Sequence, residues 1–370
     1  MSDQETSIIK ICATLVEKIN FACHQSAFAV LRELQVENLD EERDQSDLTV
    51  KLTASPAFVK AKTWTVDRLA AGGSLTMRDR DLELDGGFLL GLTESMRGMV
   101  TIRVCQGDLC LAESAIPVEL LAHNEWGGAT YIPELLAAFC TPNDPTVDRL
   151  LGQASQILRK AGKSGSINGY DSGSREQVWL MASAIYSAIV KLQVGYALPP
   201  ASFESNGQKI RLPSQIESAK VATCLDTTLL FAAALEQAQL NPLVILTRGH
   251  ALVGLWLDKE DLSSVVVDEA ETLRQRIPLK ELILIESTFL TNHPAPPFSQ
   301  AVKDGNKQVA LDKDSEFVAA IDIRRARAHR INPIGLKTQV AGVGESTDWV
   351  DVVEPGLEEA PQDLPSANVH

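Results

Sequence analysis

Three residues in the second half of the chain have types and spacing that could support nucleophilic chemistry: Cys224, His250 and Glu286. A thiol attacks a carbonyl only as its thiolate. It needs a base or cation beside it, and that base needs a group that fixes its tautomer. Cys224 stands where an irregular segment gives way to an apolar run, the place of a helix N-terminus. The unsatisfied backbone N–H groups of such a terminus favour a thiolate and can meet an oxyanion. His250 follows Arg248-Gly249 and opens an apolar segment. Glu286 closes the run Leu282-Ile283-Leu284-Ile285, ahead of Ser287-Thr288, where a carboxylate can accept from the second imidazole nitrogen. Each has an ordinary structural alternative: a small core thiol, a structural histidine, a solvated glutamate. Their order and context together point to thiol catalysis. Gln215, Arg248 and Asp226 are candidate substrate or oxyanion contacts beside them, with Arg248 also placed to depress the imidazole pKa or meet a substrate carboxylate.

The elements that must position these residues follow from periodicity. Residues 224–240 (CLDTTLLFAAALEQAQL) are apolar almost all the way round, which predicts a helix enclosed within a domain, ended by Asn241-Pro242. Residues 243–247, 251–257, 265–267 and 282–285 then read as successive strands. A buried helix followed by an antiparallel sheet is an α+β arrangement. Upstream, 132–140 and 145–161 read as helices separated by Pro142-Asn143-Asp144-Pro145, and 175–194 as a strongly apolar helix. The Gly/Ser-rich loop 162–174 lacks the Gly-Lys-Ser/Thr that closes a phosphate-binding loop. The chain carries no Walker A motif, so it is not an ATPase on its own. Residues 195–214 are irregular.

Ahead of this region, Ile8, Ile9, Cys12, Leu15, Val16 and Ile19 recur at roughly helical spacing and predict a leading helix within 1–24. From about residue 26 the period changes to two, with strand character at 30–36, 48–52, 58–66, 82–84, 100–104 and 116–121. Turns at Gly72-Gly73, Asp85-Gly86-Gly87 and Gln106-Gly107-Asp108 separate several of them. This pattern predicts an N-terminal antiparallel β-sandwich over 25–128 with nothing catalytic in it, His123 serving a structural turn. The α+β domain then spans 129–335. Residues 336–370 lose periodicity and gain Gly, Asp, Glu and Pro, which predicts a disordered acidic tail or linker.

A net charge of −15 and a pI near 4.9 exclude broad, sequence-independent nucleic-acid binding. Arg324, Arg325, Arg327 and Arg330 read as the solvated face of a terminal helix. There is no apolar run of eighteen residues and no basic n-region at the start, which predicts a cytoplasmic protein without membrane association. Six cysteines over 370 residues are too sparse for a disulfide scaffold. Cys105 and Cys110 flank a hairpin turn with no second Cys or His pair nearby, so no metal and no cofactor are expected.

The runs Leu212-Pro213-Ser214-Gln215, Ala222-Thr223-Cys224-Leu225-Asp226 and Leu229-Leu230-Phe231-Ala232-Ala233-Ala234-Leu235 resemble the core motif of transglutaminase-like (papain-like) cysteine hydrolases. In that motif a nucleophilic Cys is followed by an acid two residues later and an apolar helix. Asn241-Pro242-Leu243-Val244 and Gly249-His250-Ala251 are similar to the strand and histidine that follow. Ile285-Glu286-Ser287-Thr288 resembles the acid-bearing strand end, with Glu where Asp is usual and Ala251 where an aromatic is common. Asn124-Glu125-Trp126-Gly127-Gly128, Ser202-Phe203-Glu204 and Gly207-Gln208-Lys209-Ile210-Arg211 extend the similarity. They match the N-terminal region of large bacterial helicase proteins of phage defence, over about residues 25–330. The resemblance implies a peptidase, amidase or acyl transferase acting on a protein or peptide substrate. It also implies a helicase or nuclease partner in an anti-phage system. The alternative is a catalytically inactive scaffold for protein–protein interaction.

Overall fold

The computed structural model describes residues 7–335 and 356–365. The chain divides into two compact units, Met1–Gly127 and Gly128–His370. Among the described residues it mixes helix and strand in several sheets and forms no barrel. Among the described residues no helix is long and apolar enough to cross a membrane.

The first unit holds two sheets. In the five-stranded one the order is Lys18–Ile19, Leu109–Leu120, Met96–Gln106, Gln45–Ser55 and Lys62–Leu69. The three-stranded one runs Ile9–Leu15, Leu31–Asn38 and Ser74–Thr76. Alternation sets which face is buried: Val50 and Leu52 pair with Val104 and Ile102, and all four are inaccessible to solvent. Cys105 and Cys110 face each other across the hairpin. His123 Nδ1 lies 2.9 Å from the Leu92 carbonyl, a local structural contact.

One expectation is overturned here. Residues 9–15 are a strand paired antiparallel with 31–38, not a leading helix, and among the described residues the only helix before residue 26 is Phe21–Gln25. The stretch Ile9-Lys10-Ile11-Cys12-Ala13-Thr14-Leu15 also fits a period of two. Its β-branched residues and the offered partner strand decide the outcome.

The second unit is built on one antiparallel five-stranded sheet in the order Val266–Val267, Phe317–Asp322, Pro242–Thr247, His250–Trp256 and Leu282–Ile285. The helix Cys224–Gln237 packs on the two strands Pro242–Thr247 and His250–Trp256. Leu229, Leu230, Phe231 and Leu235 in it are all at most 2% exposed. Each such side chain contributes about 1.5–3 kcal/mol by leaving water. Helices Pro145–Lys160 and Arg175–Val190 cover it in turn, the second buried from Val178 to Val190, where its sequence is apolar nearly all round. The helix Phe298–Asn306 lies along the outer strand Leu282–Ile285: Glu286 N donates to the Ala301 carbonyl at 3.0 Å, and Leu284 N to Asn306 Oδ1 at 2.8 Å. The approach is so close that a Cβ on Gly305 would stand 2.3 Å from the Leu284 carbonyl oxygen.

The arginine cluster is not a uniform solvated face. Arg324 and Arg330 are exposed, but Arg325 pairs with Asp261 at 2.8 Å. Arg327 donates to Glu236 at 2.8 and 2.9 Å and to the carbonyls of Ala137, Cys140 and Ile331. Those carbonyls end neighbouring segments and need donors, which a guanidinium fork supplies. Most of the tail expected at 336–370 lies outside the described residues. Its described part, 356–365, is anchored rather than loose. Ser187 Oγ donates to the Gly356 carbonyl (3.2 Å), Glu358 N to Ser183 Oγ (3.2 Å) and Ser299 N to the Glu358 carboxylate (2.8 Å). Low apolar content underrates a segment held by polar ties to buried serines.

Candidate active site

The nucleophile candidate is set by a capping box. Thr223 Oγ1 accepts from Asp226 N at 3.2 Å, and Asp226 Oδ2 accepts from Thr223 N at 2.9 Å, which makes Cys224 the first residue of its helix. Its amide is one of the four that such a terminus leaves without an intrahelical partner. Cys224 is inaccessible to solvent. Its carbonyl accepts from Thr227 Oγ1 (2.9 Å) and Thr228 Oγ1 (2.8 Å), and Thr228 Oγ1 lies 2.8 Å from Ser287 Oγ. Buried hydroxyls thus tie the nucleophile's turn directly to the residue after Glu286.

His250 opens its strand opposite Thr247, across a turn in which Gly249 adopts φ +68°, a conformation glycine takes without steric penalty. Its Nε2 lies 2.8 Å from Glu286 Oε2. Glu286 Oε1 accepts from both the Thr288 amide (3.0 Å) and the Thr288 hydroxyl (2.6 Å), so both carboxylate oxygens are held. The Cys224 thiol is within hydrogen-bonding reach of the same imidazole. With Nε2 committed to Glu286, Nδ1 is the nitrogen left for sulfur. The structure therefore brings Cys224, His250 and Glu286 into one chain of contacts across three elements.

The electrostatics follow from that chain. Burial acts to lower the His250 pKa, but the hydrogen bonds and charges of Cys224 and Glu286 outweigh it and push the imidazole up to about 9. Burial would raise the Glu286 carboxyl, yet His250 and the two Thr288 bonds hold it below the usual range. At neutral pH the pair is an imidazolium facing a carboxylate on one side and the thiol on the other. That arrangement supports general acid–base work beside a sulfur nucleophile.

The three subsidiary candidates fare differently. Asp226 is wholly buried and spends its oxygens on the Thr223 and Arg211 amides and the Arg211 guanidinium. It fastens segment 208–212 to the nucleophile's helix and has no oxygen to offer a substrate. Gln215 Oε1 accepts from the Leu212 amide at 2.9 Å and caps the helix Pro213–Ala219. Arg248 is exposed on the hairpin turn, where its amide donates to the Glu316 carbonyl. The imidazole is raised rather than depressed, so the effect expected of Arg248 is absent.

Tyr196 is the residue that sequence reasoning missed. It lies on the two-residue strand Gly195–Tyr196, which pairs parallel with Val221–Ala222 immediately before Thr223 and Cys224. Burial, followed by the Cys224 thiol and Glu286, raises its phenol pKa to about 12. Segment 195–214 has no period that would flag it. The available signal was Val221-Ala222, a β-prone pair before the nucleophile that needs a strand partner.

Among the described residues no group of three His, Cys, Asp or Glu side chains is arranged to hold a metal ion. A cavity of about 420 Å³ lies instead at the far edge of the sheet, beside Val266, Asp268 and Ala319. No protein-family model matches the chain, and no curated protein matches it.

Proposed function

We propose that the second unit is a transglutaminase-like (papain-like) thiol hydrolase or acyl transferase with Cys224 as nucleophile, His250 as base and then acid, and Glu286 as the group that orients His250. The observation that carries this reading is the 2.8 Å His250 Nε2–Glu286 Oε2 contact, with the Cys224 thiol on the same imidazole. A residue set without catalytic use has no need of this relay. It is further supported by a nucleophile on the first turn of a buried helix, with base and acid on neighbouring strands that pair directly. The first unit, with its two sheets, antiparallel apart from the short edge strand Lys18–Ile19, suits a β-sandwich that recruits a protein or peptide partner in a cytoplasmic defence assembly.

The steps follow from the geometry. The Cys224 thiolate adds to a carbonyl carbon, and the carbonyl π pair moves onto oxygen. On collapse the C–N or C–O bond breaks and the imidazolium gives its proton to the leaving group. Water or an amine, deprotonated by His250, then adds to the thioester and releases Cys224. Glu286, fixed by Thr288, keeps the imidazolium stable and its ring oriented throughout.

Incubation with p-nitrophenyl acetate and intact-mass analysis tests this reading. An acetyl adduct mapping to Cys224 in wild type, absent in Cys224→Ala and turned over faster with added hydroxylamine, is the expected result. Wild-type protein that is acetylated no faster than Cys224→Ala overturns it.

A further inference from the structure

We propose that Cys105 and Cys110 are a dithiol pair of the first unit that reacts with a hydroperoxide and closes into a reversible cross-strand disulfide. This goes beyond the thiol-hydrolase reading of the second unit and does not depend on it.

The placement comes from register. Strands Met96–Gln106 and Leu109–Leu120 meet at the turn Gly107-Asp108, in which Gly107 takes φ +58°. A glycine at the first central position of so short a loop fixes the pairing of the residues behind it. Gln106 falls opposite Leu109, and Cys105 opposite Cys110. Residues directly opposite in an antiparallel ladder project from the same face, with Cα atoms about 4.5–5.5 Å apart. A disulfide spans about 4.4–6.8 Å between Cα atoms, so the two sulfurs can bond without re-registering the strands. Immediately behind the pair the register shifts between Val104 and Cys105, with Val104 paired to Ala112. A bulge of that kind twists its strand locally, which gives the hairpin tip room to draw the two Cβ atoms together.

The surroundings suit reaction. Ile102 and Val104 face the core, which puts Arg103 and Cys105 on the outer face. There Cys105 is half-buried and Cys110 exposed, whereas Cys23, Cys140 and Cys224 are buried. Arg103, paired with Glu113 at 2.6 Å, keeps a cation on the same face as the two sulfurs, and a nearby cation favours the thiolate. Burial, then the neighbouring Cys110, pushes the Cys105 thiol up. Cys110 is therefore the sulfur that meets the oxidant first, and Cys105 the one that resolves it. Cys110 Sγ rests 3.5 Å from the Ala112 carbonyl on its own strand, so a local rotation turns it toward Cys105.

The chemistry balances in two steps. The Cys110 thiolate attacks the outer oxygen of the hydroperoxide, the O–O bond breaks, and the leaving oxygen takes up the proton that the thiol released. Cys110 is then a sulfenic acid. The Cys105 thiolate attacks that sulfur, the S–O bond breaks, and hydroxide leaves as water with the Cys105 proton. The two thiols lose two electrons in all, and one hydroperoxide gains them. Exchange with an external dithiol reopens the link. It encloses only Gln106-Gly107-Asp108-Leu109, so it constrains the unfolded chain less than a long-range disulfide would. An exposed link at a hairpin tip has the character of a redox-responsive bond rather than a structural one.

The test treats the full chain with a graded range of hydrogen peroxide, blocks the remaining thiols with N-ethylmaleimide and cleaves on the N-terminal side of Asp108. That cut lies between the two cysteines, so a link shows as two fragments that separate only on reduction. The expected result is a linked pair carrying Cys105 and Cys110, abolished by dithiothreitol. Cys105→Ser should instead accumulate a Cys110 sulfenic acid that dimedone traps, several-fold above wild type. The wild-type fragments decide the matter without any variant. Both cysteines still blocked by the maleimide at the highest dose overturn the proposal. So does a link that joins two chains, seen as a non-reduced dimer. Equal trapping by dimedone with and without Cys105 overturns it too, because a resolving thiol must drain the sulfenic acid.

Discussion

Replacing His250 by alanine should slow alkylation of Cys224 below about pH 9, where the imidazole that is removed carries a charge. An ordinary thiol titrates at about 8.5, so its thiolate fraction, and its rate with iodoacetamide, rise about tenfold per pH unit below that value. From about pH 5.5 to about pH 7.5 that is roughly a 100-fold increase. In the wild type the imidazole is held up to about 9 by the thiol and Glu286, so through this window Cys224 faces an imidazolium. That cation stands beside the charge that forms on sulfur, and His250→Ala removes it, so the wild-type rate should exceed the variant's across the window by about tenfold or more. The assay is pseudo-first-order alkylation followed by intact mass at several pH values, with the other five cysteines resolved by peptide mapping. Wild-type and His250→Ala rates that coincide at every pH would refute the pairing argument.

Two further outcomes test the supports of the site. Glu286→Gln keeps the shape and the Thr288 contacts but removes the charge at 2.8 Å from Nε2, so the His250 imidazole should titrate at least about one unit below the wild-type value near 9, as read by NMR of the ring. The sign carries over to stability. A folded-state value above the unfolded one near 6.5 contributes stability that is complete below that pH and lost as pH rises through about 9. Wild-type Tm should fall across that interval and Glu286→Gln should fall less; equal slopes would contradict the shift. Arg327→Met leaves Glu236 half-buried without its cationic partner and takes the guanidinium donor from the Cys140 carbonyl, at a cost of about 3 kcal/mol. Denaturant unfolding checks it, and a change under about 1 kcal/mol would show the network to be dispensable.

The site was more legible than the fold around it. Cys224, His250 and Glu286 each stand at an element boundary marked by local chemistry: a Thr-x-x-Asp cap, an Arg-Gly turn and an apolar run ending in Glu-Ser-Thr. Boundaries of that kind are written in adjacent residues, so reading them needs no tertiary knowledge. The strand Phe317–Asp322 was missed although it is second from the edge of the sheet and pairs with Pro242–Thr247. Its Phe-Val-Ala-Ala-Ile-Asp follows a charged run and carries two alanines, which are poor strand formers on their own. Burial between two partner strands compensates. Tyr196 was invisible for a related reason, because its place beside Cys224 depends on a parallel bridge between segments some twenty-five residues apart. Asp226 turns inward to the Thr223 and Arg211 groups, because proximity in sequence does not say which hydrogen bonds a side chain has already made.

The helix Phe298–Asn306 has a consequence for how the sheet meets other chains. The strand Leu282–Ile285 is the last of its sheet, and a bare outer strand invites a further strand from a peptide or a neighbouring molecule. Here the Asn306 amide and the Ala301 carbonyl have already taken the outward groups of Leu284 and Glu286. This margin is sealed against β-augmentation and against edge-to-edge aggregation. An extended polypeptide therefore cannot lengthen the sheet past Leu282–Ile285, next to the acid.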